Sequence, residues 1–157
     1  MGIDPGTQGG VAVLRGEDRS VAFVAGLSPD MTHAQAVDVV EAAKDALRLN
    51  GGSLCFCEKV GYMPGDGGKG ANTFGRVDGI LRGAVLARPR ATVIDVPPMT
   101  WQAKLGCLTG GHKDISLRRA KELFPACFPA GQFKYEALRI ADALLIAEYG
   151  RLWLNRG

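Results

Sequence analysis

The sequence predicts an α/β fold, a five-stranded mixed sheet flanked by helices, in one domain spanning residues 1–157. Three short apolar runs open the chain with only glycine-rich turns between them, which reads as an antiparallel meander. From there, segments with helical and with strand spacing alternate, which reads as helices packed on a sheet whose later strands are joined by crossovers. A third observation points to chemistry. Two of the apolar strands finish in a carboxylate, Asp4 and Glu58.

Met1–Asp4, Gly10–Arg15 and Ser20–Ala25 are the meander strands, reversing at 6–9 and 16–19. The first is short against a usual strand length of about 5–6 residues, so the native start is left open to lie upstream of Met1. Thr32 is placed to cap a helix to about Leu49, with Ala36, Val39, Val40, Ala43 and Leu47 at helical spacing. Asn50-Gly51-Gly52 ends it. Ser53–Glu58 is a buried strand, 61–70 a glycine-rich loop, and Asn72–Ala87 a helix with Phe74, Val77, Ile80, Leu81, Ala84 and Val85 inward. Ala91–Val96 is the fifth strand and Pro97-Pro98 stops it. A short helix follows over Met99–Leu105, then a loop over 106–112. Lys113 or Asp114 opens a helix to Leu123, and Pro125–Gly131 leads to a last helix over Tyr135–Leu152.

A hydrophobic content of 46% and a charged content of 22% are ordinary for a globular protein and exclude a disordered chain. No run approaches the roughly 20 apolar residues of a membrane span, and no signal peptide precedes the fold, so a cytoplasmic protein without a membrane partner is expected. Cys55, Cys57, Cys107 and Cys127 read as reduced, packed thiols. The first two stand two apart on a strand and so point to one face of the sheet. The net charge of +3 is unevenly spread: residues 1–58 carry −4 and residues 59–157 carry +7. A basic C-terminal part beside acids at strand ends suits a polyanion held partly through metal, although solvated surface lysines and arginines would give the same count.

The opening Asp4-Pro5-Gly6-Thr7 turn is ambiguous by itself. It resembles the phosphate-cradling turn of sugar kinases and related ATPases, but those need two domains of this size. The glycine-rich 61–70 loop lacks the Lys-Ser/Thr that ends a P-loop, so no nucleotide cofactor is expected. Asp142 decides the matter. It sits in Ala141-Asp142-Ala143-Leu144-Leu145-Ile146-Ala147, where a carboxylate is costly unless paired or holding a cation. Glu148, about 240° round the same helix, reads as a surface residue. If the first and fourth strands are neighbours, Asp4, Glu58 and Asp142 converge. Three such acids are what two ions roughly 3.5–4 Å apart need to flank a scissile phosphate, and hard oxygen ligands select Mg²⁺, with Mn²⁺ able to substitute. Neither His33 nor His112 belongs to a competing catalytic set.

Taken in order, Gly2-Ile3-Asp4-Pro5-Gly6, Glu58 after its strand, Thr73-Phe74-Gly75-Arg76-Val77-Asp78-Gly79-Ile80-Leu81-Arg82-Gly83, Val96-Pro97-Pro98-Met99-Thr100-Trp101-Gln102-Ala103-Lys104 and the closing Ala-Asp-Ala-Leu-Leu-Ile-Ala-Glu-Tyr-Gly make the chain similar to RuvC-type Holliday junction resolvases. The likeness is to their phage and organellar branch and covers almost the whole length. It implies a ribonuclease H-like fold and a homodimer that nicks four-way DNA symmetrically with Mg²⁺ or Mn²⁺. It implies catalytic roles for Asp4, Glu58, Asp142, Lys104 and Lys113, the two lysines lying near the scissile phosphate; plain solvation remains an alternative for Lys113. One departure stands out. The family's further metal-binding acid or histidine, three or four residues before the helix aspartate, is replaced by Arg139 and Leu138. Glu136 could serve as a metal ligand only if the helix begins after it.

DNA contacts are expected from Arg118 and Lys121 on one basic helix face, from Arg76, Lys104 and Lys113, and from Tyr62 and Lys69, with Met63, in the 61–70 loop. An inert linker is the other reading of that loop. Gly75, Gly79 and Gly83 give the 72–87 helix a smooth face, either the family's dimer interface or a site of intramolecular packing. Two further activities stay open beside junction resolution. One is a catalytically weak junction-binding protein; the other is a same-fold nuclease for flaps, forks or RNA–DNA hybrids.

Overall fold

The computed structural model describes residues 1–16, 18–47, 54–59, 61, 67–108, 110 and 112–156, and of Lys69 the backbone. The elements run β1 (Gly2–Asp4), β2 (Gly10–Arg15), β3 (Ser20–Gly26), α1 (His33–Ala46), β4 (Leu54–Glu58), α2 (Gly68–Leu86), β5 (Thr92–Val96), α3 (Pro98–Leu105), α4 (Lys113–Leu123) and α5 (Lys134–Leu154), with a 3₁₀ turn at Pro125–Cys127. The strands form a five-stranded sheet in the order β3-β2-β1-β4-β5. The meander pairs antiparallel, while β4 lies parallel to β1 and β5 parallel to β4. The predicted mixed sheet is therefore present.

Local chemistry explains the boundaries. Thr32 and Gln35 form a reciprocal capping box that starts α1. Pro98 occupies the first turn of α3, where its missing N–H costs nothing, and Gly106 ends that helix at φ +69°. α2 begins one turn earlier than the composition suggested. The N–H groups of Gly70 and Ala71 already bond the Gly67 carbonyl there, although three glycines in four residues read as a loop.

Side chains alternate across the sheet. Ile3, Val11, Val13, Cys55 and Cys57 pack against Val40 and Ala43 of α1 and Leu81 and Val85 of α2. On the opposite face, Ala12, Phe56 and Val96 meet α3, α4 and α5. The two cysteines do share one face. α5 is enclosed by the sheet and the helices beside it, so every residue from Ile140 to Gly150 is buried.

That enclosure corrects the reading of Glu148 as a surface residue. It is 1% exposed and held by Arg151, Nε to Oε2 at 2.7 Å, and by Arg19, Nε to Oε1 at 3.0 Å. A buried carboxylate survives because it is paired. The partners come from another turn of the helix and from the β2–β3 turn, which helical spacing cannot reveal.

Candidate active site

Strand parity brings the first two acids together. Ile3 faces α1 and α2, so Gly2 and Asp4 on either side of it face α5. Cys55 and Cys57 also face α1 and α2, which turns Phe56 and Glu58 toward α5. In the parallel register Gly2↔Phe56 and Ile3↔Cys57, Asp4 and Glu58 lie one residue further on. They therefore end adjacent strands, about 4.8 Å apart in backbone, on the same face. Asp142 projects from the buried stretch of α5 above them.

The electrostatics record this convergence. Burial lifts the Asp4 carboxyl above its ordinary range, against the pull of the Gly6 amide and Lys113. Burial, then repulsion from Asp4, pushes Glu58 up to about 7, and Asp142 adds to the repulsion. Burial and repulsion from Asp4 likewise raise Asp142 to about 6. Three mutually repelling acids in a poorly solvated cleft make a site that favours cations.

Asp4 and Glu58 each have one hydrogen-bond partner, whereas Asp142 is held by the Ser116 hydroxyl and by Lys113. The Gly6 N–H donates to Asp4 Oδ1 at 3.1 Å. The indole N–H of fully buried Trp101, on α3, donates to Glu58 Oε2 at 2.9 Å. Lys113 Nζ, at the start of α4, stands 3.8 Å from Asp142 Oδ2. Asp142 Oδ1 is buried with no hydrogen-bond partner among the described residues. Among those residues no three His, Cys, Asp or Glu side chains are gathered into a ready-made metal cage. The donor chemistry nonetheless fits a hard divalent cation: carboxylate oxygens only, one of them buried and unspent, in a field that raises all three acids.

The other predicted residues divide. Lys113 stands at the acids, and all three sense its charge. Lys104 is exposed one turn beyond Trp101 on α3, with no contact to the acids. Arg118 and Lys121 are exposed on α4, flanking its buried Leu117 and Ala120, and Arg76 is exposed on α2. Tyr62, Met63 and the Lys69 side chain lie outside the described residues. Glu136 is corrected. It lies in the first turn of α5, which starts at Lys134, so the condition for its serving as a ligand fails. Six helical residues put it about 9 Å along the axis and 240° around from Asp142.

Sequence reasoning quoted Trp101 only within a motif and gave it no role; an indole three residues past a strand-ending proline carries no spacing signal for Glu58. It also treated Arg139 only as a missing ligand. Arg139 in fact lies along the sheet at Gly26 and under Tyr135.

No family model matches the sequence, and no curated protein matches it. Solved structures do. RuvC of Thermus thermophilus in complex with a Holliday junction substrate superposes with a TM-score of 0.59 at 20% identity, over 96% of this chain and 93% of that one. A second structure of Thermus thermophilus RuvC gives 0.58 at 20% identity, over 97% and 95%. The yeast mitochondrial Holliday junction resolvase Ydc2 gives 0.54 at 15% identity, over 99% and 80%. The chain thus has the ribonuclease H-like fold of RuvC and Ydc2, and the likeness to RuvC-type resolvases expected from its motifs holds over nearly its full length.

Proposed function

We propose that this protein is a structure-selective endodeoxyribonuclease that resolves four-way and other branched DNA by metal-dependent phosphodiester hydrolysis. The observation that carries the reading is the convergence of Asp4, Glu58 and Asp142 on one face, on a fold shared with proteins described as Holliday junction resolvases. Held by these three acids, a pair of Mg²⁺ or Mn²⁺ ions would supply an activated water and charge neutralisation at the leaving oxygen. Trp101 fixes the rotamer of Glu58, and the Gly6 amide fixes Asp4. Lys113, beside Asp142, offsets charge that builds on the phosphate as it is attacked. Arg118 and Lys121, with Arg76, Lys104, Lys69 and Tyr62, hold the DNA backbone and centre of the junction. Added Cβ atoms at Gly75, Gly79 and Gly83 would meet nothing within 4 Å, which supports an open α2 face available to a second copy in a homodimer. Among the described residues no helix is long and apolar enough to cross a membrane.

The test is a nicking assay on a synthetic four-way junction with Mg²⁺ and then Mn²⁺, beside flap, fork and RNA–DNA hybrid substrates. Paired symmetrical nicks in the junction are expected. Tight binding without cleavage in either metal would instead favour the second reading, a junction-binding protein. That reading is supported by Leu138 and Arg139 before Asp142 and by the helical placement of Glu136.

Trp101→Phe keeps most of the packing but removes the bond to Glu58. It is expected to lower cleavage about 10- to 100-fold, the usual cost of losing a group that orients a ligand. A metal titration checks it. The loss should recede as Mg²⁺ is raised, whereas an equal loss at every concentration would place Trp101 in the packing alone.

A further inference from the structure

At the start of α5, Phe133 and Tyr135 are 65% and 52% exposed, two of the large apolar side chains left open to solvent. Their rings stack with centroids 5.7 Å apart and planes 18° from parallel. The Arg139 guanidinium lies 5.2 Å from the Tyr135 ring centroid. The stem of Arg139 crosses the sheet at Gly26, where an added Cβ would come within 2.9 Å of it, so the arginine is a fixed support and not a waving surface chain. Arg139 Nε is buried without a hydrogen-bond partner among the described residues, as is Gln132 Oε1 in the segment before α5. The cluster therefore keeps polar capacity that the described part of the chain does not use.

Its position gives the cluster a purpose. Tyr135 and Asp142 are seven residues apart on one helix, so they share a face within about 20° and stand about 10.5 Å apart along the axis. That span equals about three base steps of 3.4 Å along one DNA strand. Lys113 stands beside Asp142, Lys134 is paired with Asp114 of α4 at 2.8 Å, and the Arg139 guanidinium lies against the Tyr135 ring with no carboxylate ion pair among the described residues. Flat, open aromatic rings backed by an arginine suit the π-face of a nucleobase.

We propose that the Phe133–Tyr135 stack, backed by Arg139, is a platform for an unstacked nucleobase of the strand whose phosphate lies at Asp142. The proposal rests on the branched-DNA reading and deepens it. The acids select the phosphate; the platform holds the strand a fixed distance away and favours DNA whose bases are already free to leave the stack, as at a branch point. Phe133, the more exposed ring, takes the base, and Tyr135 with Arg139 holds Phe133 flat.

The test is equilibrium binding to a four-way junction carrying 2-aminopurine near the branch, in EDTA so that nothing is cut, across a salt series. Phe133→Ala is expected to weaken binding about 5- to 100-fold and to abolish the change in 2-aminopurine fluorescence. The slope of log affinity against log salt should stay as in the wild type, because no phosphate contact is removed. Phe133→Trp should restore both signals. Tyr135→Ala supplies a second, independent variant should either protein fold poorly. Unchanged affinity and fluorescence in Phe133→Ala would overturn the platform. So would a lower salt slope, or a change in oligomeric state showing that a second copy covers the rings. Failure of the wild type to bind branched DNA at all would overturn the functional reading itself, and is distinguished by appearing before any variant is made.

Discussion

Asp142→Asn is expected to reduce cleavage by about 10²- to 10³-fold or more while making the metal-free protein more stable. The first half follows from the loss of a carboxylate whose buried Oδ1 has no other use. The second follows from the cost of keeping that carboxylate ionised at neutral pH. Burial and Asp4 hold Asp142 at about 6 against an ordinary 3.8, and they hold Glu58 at about 7 against 4.5. The Ser116 hydroxyl and Lys113 offset this only in part, the ammonium being mostly solvated and 3.8 Å from the carboxylate. Neutralising one member therefore relieves its own desolvation and the repulsion it exerts on the others, worth about 1–3 kcal/mol. For a chain of this size that corresponds to about 3–10 °C in Tm. Thermal unfolding in EDTA measures it. Added Mg²⁺ should then raise the wild-type Tm by binding the folded state, and should do so less for the variant. A variant that melts below the wild type in EDTA would sink the view of the three acids as a mutually repelling cation site.

Much of this was legible because burial leaves marks in composition. Asp4 and Glu58 each close an apolar strand, and Asp142 interrupts a run of alanine, leucine and isoleucine that no solvent-facing stripe would contain. The antiparallel half of the sheet followed from turn lengths, because short glycine turns force neighbours to pair antiparallel, whereas intervening helices only permit parallel pairing and left the β1–β4 adjacency a condition that the structure meets. What stayed hidden depends on partners far away in sequence. Glu148 has the helical phase of a surface residue, yet Arg19 and Arg151 bury it. Trp101 reaches back 43 residues to Glu58. Glu136 depended on a helix boundary, and boundaries are set by backbone bonds that composition specifies loosely. Gly2 and Gly10, in the strands either side of the first turn, carry no local sign of the helix they meet more than a hundred residues later.

Gly2→Ala is expected to be the most damaging small substitution in the fold. A Cβ there would lie 2.2 Å from the Ala147 nitrogen, 2.5 Å from the Ala143 oxygen and 2.7 Å from the Ala147 Cα, all backbone atoms of α5. No rotamer change can yield that space. Gly10 makes the same demand one strand over, where an added Cβ would meet the Arg139 oxygen at 2.5 Å, so α5 rests on bare backbone in both β1 and β2. β1 cannot retreat either, being paired on both sides through Gly2↔Ala12 and Gly2↔Phe56. The remaining escape is for α5 to lift, which opens the contacts of Leu144 and Ala147 with the sheet and draws Asp142 away from Asp4. A cost of about 3 kcal/mol or more is expected, lowering Tm by about 6–12 °C. Cleavage should fall even at temperatures where the variant is folded, because the acids it needs sit on the two elements being forced apart. Gly79→Ala is the control, since its Cβ would meet nothing within 4 Å and alanine favours a helix interior by about 0.5–1 kcal/mol over glycine. A Gly2→Ala protein that melts and cleaves like the wild type would mean α5 does not rest directly on β1, and the geometry that joins Asp4 to Asp142 would fall with it.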